Sequence, residues 1–251
     1  MKRLLFWTIL CGMTLISPMS CAQERTVFLE ASRVLMDSLW DAPEEPVVKG
    51  IIEFYKPEMD RLMQQVVGYT EYEMRSGRPE SLLSNFAADQ MYEYGREHSD
   101  KEVDFALTNF GGLRASLPKG DVRRYDIYSV FPFENYLVYA DVPGTAVREL
   151  FESFAENRVE AFSYNVKMEI TDGMLKDVLI DGVQIDPYKT YRIVTIDFLL
   201  GGGDNVKALK KSENVDQAGI LLRDAILYRI DKISSSGKPI SSSITNRVII
   251  E

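Results

Sequence analysis

The chain has 251 residues, 45% of them hydrophobic and 27% charged, which is enough apolar material for one large domain or two small ones. With 29 basic against 38 acidic residues, it lacks the basic face that nucleic-acid binding requires. Two cysteines and one histidine leave no basis for a disulfide framework or a thiolate metal site.

Residues 1–22 read as an export leader. Lys2 and Arg3 form a basic start, and Leu4 to Ile16 is an apolar run too short and wrongly flanked to span a membrane. Ser20-Cys21-Ala22 then supplies small residues for processing. Either Cys21 becomes the lipidated first residue of a bacterial lipoprotein, or cleavage falls after Ala22. Both schemes predict an exported protein, in the periplasm or associated with the outer membrane, and touching a membrane only through that lipid anchor. Residues 23–45, with Pro43-Glu44-Glu45-Pro46 at their end, read as a connector, and 46–251 as one domain.

From Val48 to Val66 apolar residues recur at three- and four-residue spacing, which predicts a helix packed on the core. Pro57 inside it predicts a kink or a break into two helices. A second amphipathic helix runs through Leu83, Phe86, Met91 and Tyr94, with Ser81 or Ser84 as its cap. Asn85 and Asp89 share one face of it, either solvated or placed to orient a neighbouring loop. His98 follows in a polar turn and reads as solvent-exposed.

Val103 to Leu107 reads as a strand, and Lys119 to Val122 as a turn. Tyr136 to Val142 is a strand, and Gly144 opens a helix through Phe154. Tyr164 to Ile170 and Lys176 to Ile180 are strands, and Asp181-Gly182 marks a hairpin. Tyr191 to Ile196 is a strand. A last helix covers Gln217 to Ile230, and Ser243 to Ile250 closes the chain as a strand. Helices and strands interleave without a strict βαβ rhythm. The fold class is therefore α+β, a mixed sheet with helices packed in layers.

Three strand-end loops share a chemistry. The first holds Asn109, Gly111, Gly112 and Arg114, the second Phe133 and Asn135, and the third Phe198, Gly202, Gly203 and Asp204. Two phenylalanines can stack on both faces of a base. Asn amides pair with a purine edge, a carboxylate accepts from ribose hydroxyls, and a guanidinium faces phosphate. Phe133 after Pro132, and Phe198 within an apolar run, serve equally as core anchors.

The order and spacing of these motifs from Met36 to Ile230 resemble the carboxy-terminal domain of the secreted 5′-nucleotidases and UDP-sugar hydrolases. The resemblance rests on Glu80-Ser81 with Asn85 and Asp89, on Asn109-Phe110-Gly111-Gly112-Leu113-Arg114, on Phe131-Pro132-Phe133-Glu134-Asn135, and on Phe198 through Asp204. It implies that this domain binds the nucleoside part of a substrate. Asn109 and Arg114 would meet the sugar or phosphate region, Phe133 and Phe198 would sandwich the base, and Asn135 would contact its edge. Asp204 would bind ribose, with Gly111 close beneath the ligand. Phe110 stands where the family usually has Gly, and so does Asn205; Arg78 is the clear candidate for a further family arginine.

The family's other part is a metallophosphoesterase domain with two divalent metals. Its Asp-x-His and Gly-Asn-His segments are absent from this sequence. The expectation is therefore a recognition domain with no catalytic or metal residues and no cofactor of its own. Nucleotide hydrolysis, and the divalent metals it needs, would come from a separate metallophosphoesterase chain. The alternative is a non-catalytic nucleoside-binding or structural surface module.

Overall fold

The computed structural model describes Ser32, Arg33, Leu35 and residues 45–251. The leader, Cys21 and most of the connector lie outside the described residues. The chain divides into two compact units, Met1–Gly50 and Ile51–Glu251.

Strands with apolar residues on both faces must be covered on both sides. β4 (Tyr136–Pro143) and β9 (Thr190–Ile196) are such strands, each buried along nearly its whole length. β2 (Phe105–Thr108) is buried at every residue, so the strand expected there is an interior one. These three form the middle of a five-stranded mixed sheet ordered β10-β4-β9-β2-β5, with β5 at Ala161–Phe162 and β10 at Asn214–Leu221. β9 is parallel to β2 and antiparallel to β4.

A second, four-stranded sheet is ordered β11-β6-β7-β8. It contains β6 (Val166–Thr171), β7 (Met174–Ile180), β8 (Val183–Gln184) and β11 (Val248–Ile250). Asp181 and Gly182 turn the β7–β8 hairpin with φ of 52° and 77°, the left-handed pair such a turn requires. A two-stranded ribbon pairs β1 (Val66–Thr70) with β3 (Gly120–Arg123). Together with six α-helices among the described residues, this is the expected mixed α+β architecture.

α2 (Leu82–His98) begins as its sequence predicts. Ser81 is the cap, and it exchanges hydrogen bonds with Ser84 in a capping box, worth about 1 kcal/mol. Its apolar face, with Leu83, Phe86 and Met91, is buried in the main core. α4 (Gly144–Glu156) buries Val147, Leu150, Phe151 and Phe154 in that core. The short α3 (Arg124–Val130) and α5 (Asp197–Leu200), and the longer α6 (Leu222–Ser235), complete the set.

Several expectations are corrected. Of the two outcomes expected at Pro57, the break does not occur: α1 (Pro46–Met63) runs through it as one 18-residue helix, because a proline deletes one ladder bond and the flanking turns carry on. No residue of α1 is buried, so its apolar stripe is not core packing; periodicity defines a face but not what covers it. Lys119 to Val122 is not a turn, since Gly120 already pairs with Thr70 in the β1–β3 ribbon. The final helix starts at Leu222, five residues later than predicted, because Asn214–Leu221 is drawn into pairing with β4. The closing strand also shrinks to Val248–Ile250, and the preceding residues are held by side chains instead.

His98 is the last residue of α2 and not part of the turn after it, a correction, but it is exposed as expected; its ring stacks on Tyr94 at 4.1 Å.

Candidate nucleotide site

Strand direction brings the three loops together. Asn109 follows the C-terminal end of β2, and Asp197 that of β9, which runs parallel to it. β4 is antiparallel to β9, with Leu137 opposite Ile196, so Phe133 and Asn135 enter β4 at the same edge of the sheet. The C-terminal end of β10 arrives there too, and the Leu222 amide donates to the Asn135 carbonyl at 2.9 Å.

The loops are joined by specific contacts. Asn109 donates from Nδ2 to Asp204 Oδ2 at 2.6 Å, linking the first loop to the third. The Arg114 amide donates to Val130 O at 2.9 Å, and its guanidinium lies 6.0 Å from the Phe133 ring centroid, linking the first to the second. Asn135 is half-buried and is tied to the end of β10 through its backbone carbonyl.

Phe133 is 48% exposed and Phe198 45%. A core anchor does not leave half its ring in water, so the packing alternative for both is set aside. The two rings make no contact with each other. Phe198 lies against Gly203, where any added Cβ would collide with the ring.

Asn109 itself is only 5% exposed. Its Oδ1 is buried without a protein partner and sits against Gly112, where an added Cβ would approach to 2.7 Å. The second glycine of the pair is therefore required by the asparagine beside it.

In the third loop, Gly202, Asp204 and Asn205 have φ of 89°, 49° and 65°. Non-glycine residues in the left-handed region carry strain of about 1–2 kcal/mol each, and Asn and Asp tolerate it best. Asn205 thus fills a position where glycine is the ordinary choice. Asp204 is exposed and aimed by the same turn.

Beside these loops is a cavity of about 350 Å³ lined by Arg78, Gly111, Asn157, Arg158, Glu160 and Asp204, among others. Arg78 is a candidate through the family resemblance alone, and Glu160 is not among the residues expected from the sequence. Glu160 immediately precedes β5, whose Ala161 pairs with Thr108, so it stands opposite the first loop. Its Oε2 accepts from the Phe110 amide at 2.7 Å, and its Oε1 from Arg78 Nη2 at 2.5 Å. Burial pushes its carboxyl above the usual range, with the Phe110 amide and Arg78 opposing that rise. The signal available in the sequence is a lone acid within the apolar Val159-Glu160-Ala161-Phe162.

The profile of the family "5′-nucleotidase, C-terminal domain" matches residues 66–211. The chain belongs to this family. It is 28% identical to the trifunctional nucleotide phosphoesterase protein YfkN of Bacillus subtilis over 82% of this chain and 15% of that protein. It is 34% identical to the 5′-nucleotidase of Vibrio cholerae over 62% of this chain and 29% of that one. Among solved structures, a 5′-nucleotidase precursor from Thermus thermophilus superposes with a TM-score of 0.70 at 25% identity, covering 83% of this chain and 44% of that one. The chain spans less than half the length of each of these relatives.

The two divalent metals implied for the family's enzymes do not fit the described residues. No three His, Cys, Asp or Glu side chains gather among them. His98 is committed to Tyr94, both by stacking and by its Nδ1 contact with the Tyr94 carbonyl at 3.0 Å. No helix among the described residues is long and apolar enough to cross a membrane.

Proposed function

We propose that this chain is an exported nucleotide-recognition domain. Phe133 and Phe198 hold the base between them, and Asn135 reads its edge. Asp204 accepts from ribose hydroxyls, while Asn109 and Arg114 meet the sugar–phosphate side above Gly111. Hydrolysis of the phosphate ester is performed by a separate exported metallophosphoesterase chain, which supplies the divalent metals. The protein acts in the periplasm or at the outer membrane, anchored through Cys21 where that residue is lipidated.

The observation that carries this reading is the convergence of three loops at one sheet edge with two large aromatic rings half in solvent. Apolar rings kept in water at the end of a sheet whose three middle strands are buried are costly unless a ligand covers them.

Calorimetric titration with adenosine and AMP tests it. Phe133→Ala and Phe198→Ala are each expected to weaken binding by about 1–3 kcal/mol, the range for a stacked base. Unchanged affinity in both variants removes the sandwich. The purified chain is expected to be inert on AMP with Mn²⁺, and efficient turnover would overturn the need for a partner.

A further inference from the structure

Glu160 does more than fill space. It is 4% exposed, yet it faces the cavity beside the nucleotide loops. One carboxylate oxygen holds the Phe110 amide, the first residue of the tight turn Phe110–Gly112 that presents Gly111 and leads to Arg114. The other holds Arg78, whose Nε donates to Val159 O at 3.0 Å. The Arg78 guanidinium lies over the Phe110 ring, 4.5 Å from its centroid. Nε and Nη2 are thus committed, and Nη1 has no protein partner among the described residues. The guanidinium is fixed on three sides while its side chain remains 30% exposed and lines the cavity.

We propose that Glu160 is a positioning residue of the nucleotide site: it sets the turn at Phe110–Gly112 and aims Arg78 into the adjoining cavity to receive an anionic group of the ligand. This inference rests on the nucleotide reading above. A buried carboxylate shared by a loop amide and a guanidinium pre-pays the ordering of both, which lowers the cost of binding. Phe110, in a position the family usually gives to glycine, supplies the flat surface on which Arg78 rests.

A purely structural role and a positioning role respond oppositely to acid. The pKa of Glu160 is raised by burial, so the fold prefers its protonated form. Its contribution to stability improves as pH falls through the raised value and worsens as pH rises. The grip on Arg78 needs the carboxylate and weakens over that same fall. The charged groups sharing the cavity are Arg78, Arg158 and Asp204. Asp204 opposes ionisation of Glu160, and Arg78 favours it.

The test is AMP titration of the wild type and Glu160→Gln over a pH series from the ordinary glutamate value of about 4.3 up to about pH 7.5, with thermal melts of both proteins. The glutamine keeps the volume but presents at most one acceptor to two donors. At the upper pH, E160Q is expected to bind AMP about tenfold more weakly and to melt no lower than the wild type. Wild-type affinity should approach that of E160Q as pH falls. Equal affinity and equal pH slopes would overturn the role assigned to Glu160. A wild type that binds no AMP at any pH would instead sink the nucleotide reading. Arg78→Gln is the second variant, kept in reserve against misfolding of E160Q. It is expected to lose a similar factor, and unchanged affinity there also overturns the proposal.

Discussion

Asn205 shows how a single residue records a backbone demand. Its φ of 65° follows that of Asp204 at 49°, so two successive side chains are carried in the left-handed region to aim one carboxylate. Asparagine tolerates this region, and a β-branched residue does not. Asn205→Val is therefore expected to lower stability by about 1–2 kcal/mol in urea unfolding, and Asn205→Gly to change it by a few tenths. A valine variant of unaltered stability would show that the turn relaxes. At this scale the sequence was informative about chemistry and silent about exposure. Phe133 and Phe198 are legible as aromatic residues at loop positions, but whether they pack inward is decided by the sheet edge they stand on. Glu160 escaped notice because its partners, Phe110 and Arg78, lie 50 and 82 residues away.

At the scale of elements, the residues just ahead of β11 are held by side chains instead of by strand pairing. Arg247 is 3% exposed, and it grips Asp89 of α2 with both terminal nitrogens, at 2.8 and 2.7 Å. Its Nη1 also donates to Phe162 O at 2.8 Å, reaching β5 next to Glu160. Glu80 accepts from the amides of Thr245 and Arg247 and from the Asn85 side chain, and Asn85 donates to Ser243 O. Burial works against the Glu80 carboxylate, but these donors outweigh it and hold its pKa below the ordinary value. Asp89 goes the other way: burial raises its carboxyl despite Arg247. Asn85 and Asp89 thus orient neighbouring segments, the second of the two alternatives their spacing allowed. Arg247→Ala would leave the partly buried Asp89 carboxylate without its cation, held only by the Tyr164 amide at 2.9 Å. It should cost about 3–5 kcal/mol in denaturant unfolding; a loss within experimental error would mean that water replaces the guanidinium freely. Ser243 to Ile250 reads as a strand because it alternates, but only its last three residues find a strand partner. β1, β3 and β10 read as helix or turn for the opposite reason. They are ribbon or edge strands with several exposed residues, and such strands need no apolar rhythm.

The whole molecule turns local strand order into a site. The mixed class and the order of the loops can be read from spacing, but their meeting cannot. It depends on β2 and β9 being parallel while β4 opposes both, a long-range pairing no local pattern encodes. α1 illustrates the same limit in reverse. Its periodicity is as regular as that of α2, yet Tyr55 is 66% exposed and Met59 52%, against 1% for Phe86 of α2. The two helices should therefore answer truncation differently. Tyr55→Ser and Met59→Ser remove little buried area, and each is expected to stay within about 0.5 kcal/mol of the wild type. Phe86→Ala empties a fully enclosed site and should cost about 3–5 kcal/mol. Urea unfolding of the three variants measures both. Comparable losses at Tyr55 and Phe86 would mean that the stripe on α1 is covered when the protein folds in solution, and its regular spacing would then mark a true packing face.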